Sequence, residues 1–294
     1  MPFLYALLTV LAWGIWLIPS QNVKFSGQQV RTFYVAAANL LIAALFTAAH
    51  GFGQVTAEVF WLPFWGGVVW SLGGWAAFSA TEKLGPVRAY GIWAPLNIVV
   101  SVALGAILLH EFVSLSGRAW ITLFGSVALI VVGVLTIIFS PAGAKGAHLP
   151  KASLPGLACA VAAGILWAVY YIPIKLSHVS MWVAAFPLAC GMLVGCAVIV
   201  LFSRQTLKLD NGKAYGRAVS SGVLWALGNY GMLLMVDTLG AGKGFTFSQL
   251  ALVVNALCGI YVLKDPKPNT RAAYLAILGC AIATTGAIVL GTIK

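Results

Sequence analysis

The second half of this chain repeats its first, and both copies consist of apolar runs long enough to cross a bilayer. Trp70, Leu72 and Gly73 reappear as Trp225, Leu227 and Gly228, and Ala12-Trp13 through Ile18-Pro19 reappears as Leu166-Trp167 through Ile172-Pro173. The offset is 154 residues at one place and 155 at the other. A spanning helix needs about 20 mainly apolar residues, and its backbone groups must pair within the helix because lipid offers them no partner. The duplicated unit is therefore a block of membrane helices.

Composition agrees. The chain is 61% hydrophobic and 8% charged, whereas a soluble domain is roughly a quarter charged. Ten helical runs are expected, at about 3–19, 29–49, 61–81, 86–109, 118–139, 155–175, 181–202, 218–238, 244–263 and 271–291. They are too long and too evenly apolar for the alternating strands of a membrane barrel. Pro63 and Pro187 lie near two expected helix starts and blur those edges. The fold class is all-α membrane, with loops too short to hold a soluble domain.

Five helices per copy is an odd number, so the copies enter the membrane from opposite sides. This gives two inverted five-helix repeats, an architecture that recurs in carriers working by alternating access. The repeats are residues 1–140 and 155–294, joined by a small, polar, proline-bounded linker over 141–154.

The net charge of +11 would point a soluble protein toward nucleic acid; here what matters is where the basic residues fall. Of 17 Lys and Arg, thirteen lie in alternate loops on one face, from Lys24 and Arg31 to Lys264, Lys267 and Arg271. Arg118, Lys175, Lys243 and Lys294 lie on the other. Positive residues stay in the cytoplasm, which places both termini on the non-cytoplasmic side of a multi-pass cell-membrane protein, with the bilayer and not nucleic acid as its partner. The first run lacks a basic leader and a small-residue cleavage site, so it reads as the first helix and not as a removed signal. The five cysteines all fall in spans without metal-like spacing and read as packing residues.

No Asp or Glu falls in the middle of a span, and all four histidines sit at helix ends or in loops. Proton-driven carriers place a carboxylate or histidine in the membrane, and a membrane enzyme needs acids, bases or metal ligands within reach of its substrate. The core offers neither, so the chain reads as a carrier and not an enzyme, with no cofactor and no metal site. The repeat also pairs Glu82 with Asp237, Arg88 with Lys243 and Glu111 with Asp265 at helix ends. Either these residues fix helix depth at the water interface, or Glu82 or Asp237 serves in a gate or in coupling.

The polar groups left in the core are neutral. Asn39, Asn97, Ser101, Asn229, Ser248, Gln249 and Asn255 cost free energy in hydrocarbon unless partnered, and deep aromatics accompany them: Trp13, Trp16, Trp70, Trp75, Trp93, Trp167, Tyr170, Trp225 and Tyr230. An amide both donates and accepts, and an aromatic face stacks on the apolar face of a sugar, so the set suits a neutral polyol. Each member has another reading. Asn39, Asn97 and Asn255 serve equally well as ties between helices, Trp61, Trp65, Trp120 and Trp182 as an interfacial belt, and any deep tryptophan as packing. Gly191 and Gly195 form a GxxxG that reads as helix packing. Pro19 and Pro173 read as helix-end punctuation.

The segment from Gly222 through Trp225 and Gly228-Asn229, followed by Gly240, Phe245, Phe247-Ser248-Gln249 and Gly259, resembles the glucose/ribose porter family of the drug/metabolite transporter superfamily. Trp13-Gly14, Trp70 through Gly73, Gly85 with Arg88, and His110-Glu111 carry the resemblance into the first half. It implies a ten-helix inverted-repeat fold with a cavity between the halves, and uptake of a monosaccharide such as glucose or ribose. By the same resemblance Trp225, Asn229, Ser248 and Gln249 line that cavity. With Asn97 they are the expected grip on the solute, and Trp13, Trp75, Trp93 and Trp167 are the expected stacking faces. The first half departs from the family pattern at Phe25-Ser26-Gly27-Gln28-Gln29 and at Trp93-Ala94-Pro95-Leu96-Asn97. Two rivals stay open: an exporter of amino acids or hydrophobic amines from the same superfamily, and a membrane-embedded enzyme or scaffold.

Overall fold

The structure, a computed structural model, describes residues 2–113, 115–138, 154–264 and 266–293. Residues 141–153 of the expected linker, Asp265, Lys294 and the side chain of Arg88 lie outside them. Among the described residues the regular structure is helical and there is no strand: α1 (Pro2–Ile15), α2 (Gln28–His50), α3 (Ala57–Leu84), α4 (Pro86–Ile107), α5 (Gly117–Ile138), α6 (Leu154–Val169), α7 (Ile172–Leu176), α8 (Met181–Phe202), α9 (Gly212–Leu239), α10 (Ala241–Ser248), α11 (Ala251–Cys258) and α12 (Arg271–Gly291). Each of the ten expected runs contains helix among the described residues, the first ending at Ile15, four residues short of its expected edge. The sixth is broken into α6 and α7, and the ninth into α10, α11 and a π-turn over Gly259–Leu263. By length and composition, seven helical segments among the described residues suffice to cross a membrane, while α1 and the described part of α5 are apolar but shorter.

Side-chain chemistry sets the boundaries. Thr56, Asn211 and Thr270 cap α3, α9 and α12, each side chain accepting from the backbone N–H three residues on. The Thr56 cap starts α3 four residues before the expected edge, so Pro63 lies inside the helix; Pro187 likewise sits inside α8. Gly85 (φ 81°) and Gly240 (φ 86°), one repeat apart, end α3 and α9 in a backbone region that residues with a Cβ avoid.

The two repeated prolines break helices as their geometry requires. A proline ring clashes with the carbonyl four residues earlier. Helix α1 ends at Ile15, four before Pro19, and α6 ends at Val169, four before Pro173. The residues that follow, Trp16 and Tyr170, lie in turns.

Packing runs mainly between the halves. Helix α1 lies on α9 and α11, α6 lies on α3 and α4, α2 packs on α8 and α9, α3 on α8, and α5 on α12. The α3–α8 approach is close because a Cβ on Gly191 would meet the Phe64 carbonyl and one on Gly195 the Ser71 hydroxyl, as expected of the GxxxG. Asn39 donates to Met192 Sδ at 3.1 Å and Asn255 to the Gly14 carbonyl at 3.3 Å, so both tie helices together. Trp61, Trp65 and Trp120 are exposed on the bundle surface, whereas Trp182 stacks on His50 at 4.8 Å.

Candidate functional site

Where α1, α6 and α10 break, their side chains converge with those of α3, α4 and α9 on a central cavity. Trp13, Trp16, Trp70, Tyr90, Trp93, Asn97, Trp167, Tyr170, Trp225, Phe245 and Gln249 line it. Helical spacing delivers them in sets: Trp13 and Trp16 are three residues apart, as are Trp167 and Tyr170, Phe245 and Gln249 are four apart, and Tyr90, Trp93 and Asn97 follow one face of α4.

Four indoles form the frame. Trp13 stacks on Trp225 with ring centroids 6.1 Å apart at 26°, and Trp167 stacks on Trp70 at 6.2 Å and 21°. Trp13 Nε1 donates to the Trp225 carbonyl at 3.1 Å, and Trp167 Nε1 donates to the Trp70 carbonyl at 3.3 Å. Glycine makes both approaches possible, since a Cβ on Gly228 would collide with the Trp13 indole and one on Gly73 with that of Trp167. Trp93 closes another side, edge-on to Trp167 at 5.4 Å.

Few polar groups belong to the residues of this aromatic cage, and two of their atoms lack a partner among the described residues. Trp70 Nε1 and Asn97 Oδ1 are buried without a hydrogen bond among the described residues, one a donor and the other an acceptor. Gln249 stands at the break between α10 and α11, its Nε2 donating to Ser248 Oγ at 3.2 Å. None of the lining residues carries a charge. A buried orphan donor or acceptor costs about 1–3 kcal/mol, so a hydroxylated guest that satisfies both gains affinity from the deficit.

The expected site residues divide. The structure brings Trp13, Trp93, Asn97, Trp167, Trp225 and Gln249 to the cavity wall. Asn229 is fully buried behind it, where its Oδ1 accepts from the Tyr170 hydroxyl at 2.7 Å. Ser248 is also buried, donating to the Phe245 carbonyl. Trp75 is 42% exposed and does not border the cavity. Tyr90 was not singled out by sequence, although its position one turn before Trp93 was a usable signal.

Room for the centre of a water-sized sphere amounts to about 30 Å³ in the cavity, enough for about two waters. A monosaccharide is several waters in bulk and enters only if the indole frame widens. At the helix ends, Lys175 Nζ lies 3.8 Å from Asp237 and 3.5 Å from the Val236 carbonyl. Glu111 binds the start of α10, accepting from Ala241 N at 2.6 Å and Gly242 N at 2.9 Å. Glu82 lies exposed near the end of α3, at the rim of a second cavity with Gln21 and Arg31.

The family model described as sugar transport protein matches residues 4–293. A Bacillus cereus protein named for sugar uptake is 29% identical over 298 residues, covering the whole of both chains. An Enterococcus faecalis protein with a similar name is 27% identical over 301 residues, again covering both. The glucose uptake protein GlcU of Bacillus subtilis is 26% identical over 296 residues, spanning 100% of this chain and 99% of its own. Among solved structures, one crystal structure matches with a TM-score of 0.68 at 18% identity, covering 98% of this chain and 96% of that one, a likeness of fold alone.

Proposed function

The chain belongs to the sugar transport protein family, and from that membership and the central cage we propose that it takes up a monosaccharide of the glucose or ribose type by exposing the cage alternately to the two sides of the membrane. The observation that carries this reading is the uncharged aromatic cavity with an unpartnered indole N–H and an unpartnered amide oxygen. Trp225, Asn97 and Gln249 grip the hydroxyls, and Trp13, Trp93 and Trp167 supply stacking faces. Asn229 and Ser248 act from behind, holding Tyr170 and Gln249 in place. An amine would find no counter-charge on these walls.

Alternation is proposed to arise from two inverted repeats, residues 1–140 and 155–294. Reciprocal packing supports this. The contact of α1 with α9 has its counterpart in α6 with α3, and that of α2 with α9 in α8 with α3. The frame that has to open is held by two indole–carbonyl hydrogen bonds, each worth about 0.5–1.5 kcal/mol, and by ring pairs of similar value. Contacts with a bound sugar are of the same size and can replace them. The excess of basic residues in alternate loops supports an orientation with both termini outside the cytoplasm, and Glu82 and Asp237 are the candidates for gating.

Uptake into proteoliposomes decides the matter. Labelled glucose, ribose and a panel of amines are presented to the purified protein; saturable entry of a monosaccharide is the expected result. Exchange of amines with none of the sugars would overturn it.

A further inference from the structure

A second, larger cavity lies beyond the central one. Leu17, Gln21, Gln28, Arg31, Thr81 and Glu82 line it, and room for the centre of a water-sized sphere reaches about 200 Å³, well above the 30 Å³ of the cage. It sits where α1 ends and α2 begins, beside the end of α3, and so on the membrane face opposite the chain termini. The partition between the two spaces is thin. Trp16 lines the cage and its neighbour Leu17 lines the second cavity. Phe78 touches both sides, its ring 5.5 Å from that of Trp16 and 4.7 Å from the Arg31 guanidinium carbon.

The walls carry hydrogen-bonding capacity that the protein leaves unused. Arg31 directs Nε and Nη2 to Ser20 Oγ at 3.2 and 2.9 Å and Nη2 also to the Leu17 carbonyl at 3.3 Å. Its Nη1 has no such bond among the described residues, and no acidic group there lies within salt-bridge distance of it. Gln28 Oε1 is buried without a partner. Arg31 and Glu82 give the lining one charge of each sign.

The opposite face differs at equivalent positions. Gln21, Thr81 and Glu82 correspond to Lys175, Val236 and Asp237 one repeat later. There the lysine bridges to the aspartate and to the valine carbonyl. A pair that is tied together near the termini is replaced by groups arranged around a cavity on the other face.

We propose that this cavity is a second solute site, in which Arg31 Nη1 and Gln28 Oε1 bind a neutral polyhydroxylated molecule on its way between the cage and the face opposite the termini. The proposal rests on the transport reading for its solute. Trp16 and Phe78 are then the gate between the two sites.

The test is protection of a cysteine placed in the second cavity. Thr81→Cys is introduced into the full chain with its five native cysteines replaced by alanine, and labelled in vesicles with a small hydrophilic methanethiosulfonate. A monosaccharide at about ten times its Kd leaves roughly a tenth of sites free and slows labelling about tenfold. Gln249→Leu is expected to abolish uptake while leaving this protection in place, and Gln28→Leu, which removes an acceptor bonded to nothing in the protein, to weaken the protection. The proposal is overturned if monosaccharide leaves labelling of the introduced thiol unchanged while uptake proceeds, if protection vanishes with Gln249→Leu, or if only a sugar acid protects. A parent protein that takes up no sugar fails the transport reading instead, and protection of the same thiol still decides the second site.

Discussion

Trp70 and Trp225, one repeat apart in sequence, meet in space with ring centroids 4.6 Å apart and planes at 58°. Each also offers its backbone carbonyl to an indole of the opposite half, Trp70 to Trp167 and Trp225 to Trp13. Four tryptophans thereby join the halves through two copies of one contact. A solute lodged between them touches both copies, and whatever widens one half of the frame loosens the other.

Substitution at the two glycines tests this reciprocity. Gly228→Ala places a methyl group against the Trp13 indole, and Gly73→Ala does the same to Trp167. Overpacking of this kind costs about 1–3 kcal/mol. Both variants are expected to lower the thermal midpoint in detergent by similar amounts and to cut uptake. A change confined to one of them would mean that the two contacts are not equivalent.

Asn97→Leu separates binding from folding. Its Oδ1 has no partner among the described residues, so its loss leaves stability unchanged or improved. Affinity falls if that oxygen meets a substrate hydroxyl: about 1–3 kcal/mol corresponds to roughly a 5- to 150-fold rise in KM at 1.4 kcal/mol per tenfold. Thermal unfolding and uptake kinetics on the same preparation read the two effects.

Much of this architecture was legible in the sequence, and the gaps have physical causes. Long apolar runs marked the helices, and the repeated prolines marked where the first and sixth runs break, because those signals are local. Which face of a helix meets lipid was not legible. Trp70 and Trp75 share α3, five residues and so about 140° apart; one is fully buried at the cavity and the other is exposed. Lipid is as apolar as a packed core, so periodicity does not separate them. Asn229 shows a related ambiguity, since a buried amide that holds Tyr170 looks in sequence like one that holds a ligand.

Glu111 is expected to matter more than its loop position suggests. Its carboxylate receives two backbone N–H groups at the start of α10, the helix that carries Phe245 to the cavity and ends just before Gln249. Anions at a helix N-terminus gain from both the hydrogen bonds and the helix dipole. Glu111→Ala should cost about 1–2 kcal/mol and reduce uptake, with Glu111→Gln intermediate because it retains an acceptor. Stability and uptake measured for all three proteins check the order Glu, Gln, Ala.

The Lys175–Asp237 pair should behave in the opposite manner. Its side chains are 27% and 53% exposed and 3.8 Å apart, so water screens most of the attraction and the pair contributes about 0–1 kcal/mol. Asp237→Asn and Lys175→Met are expected to leave the thermal midpoint nearly unchanged. If the pair also closes the face near the termini, each variant will alter how readily that face opens, and a cysteine substituted for Val236 will label faster in both. A double-mutant cycle separates the cases: labelling rates that combine without coupling would show the two residues to be independent, and a gate built from their contact would be ruled out.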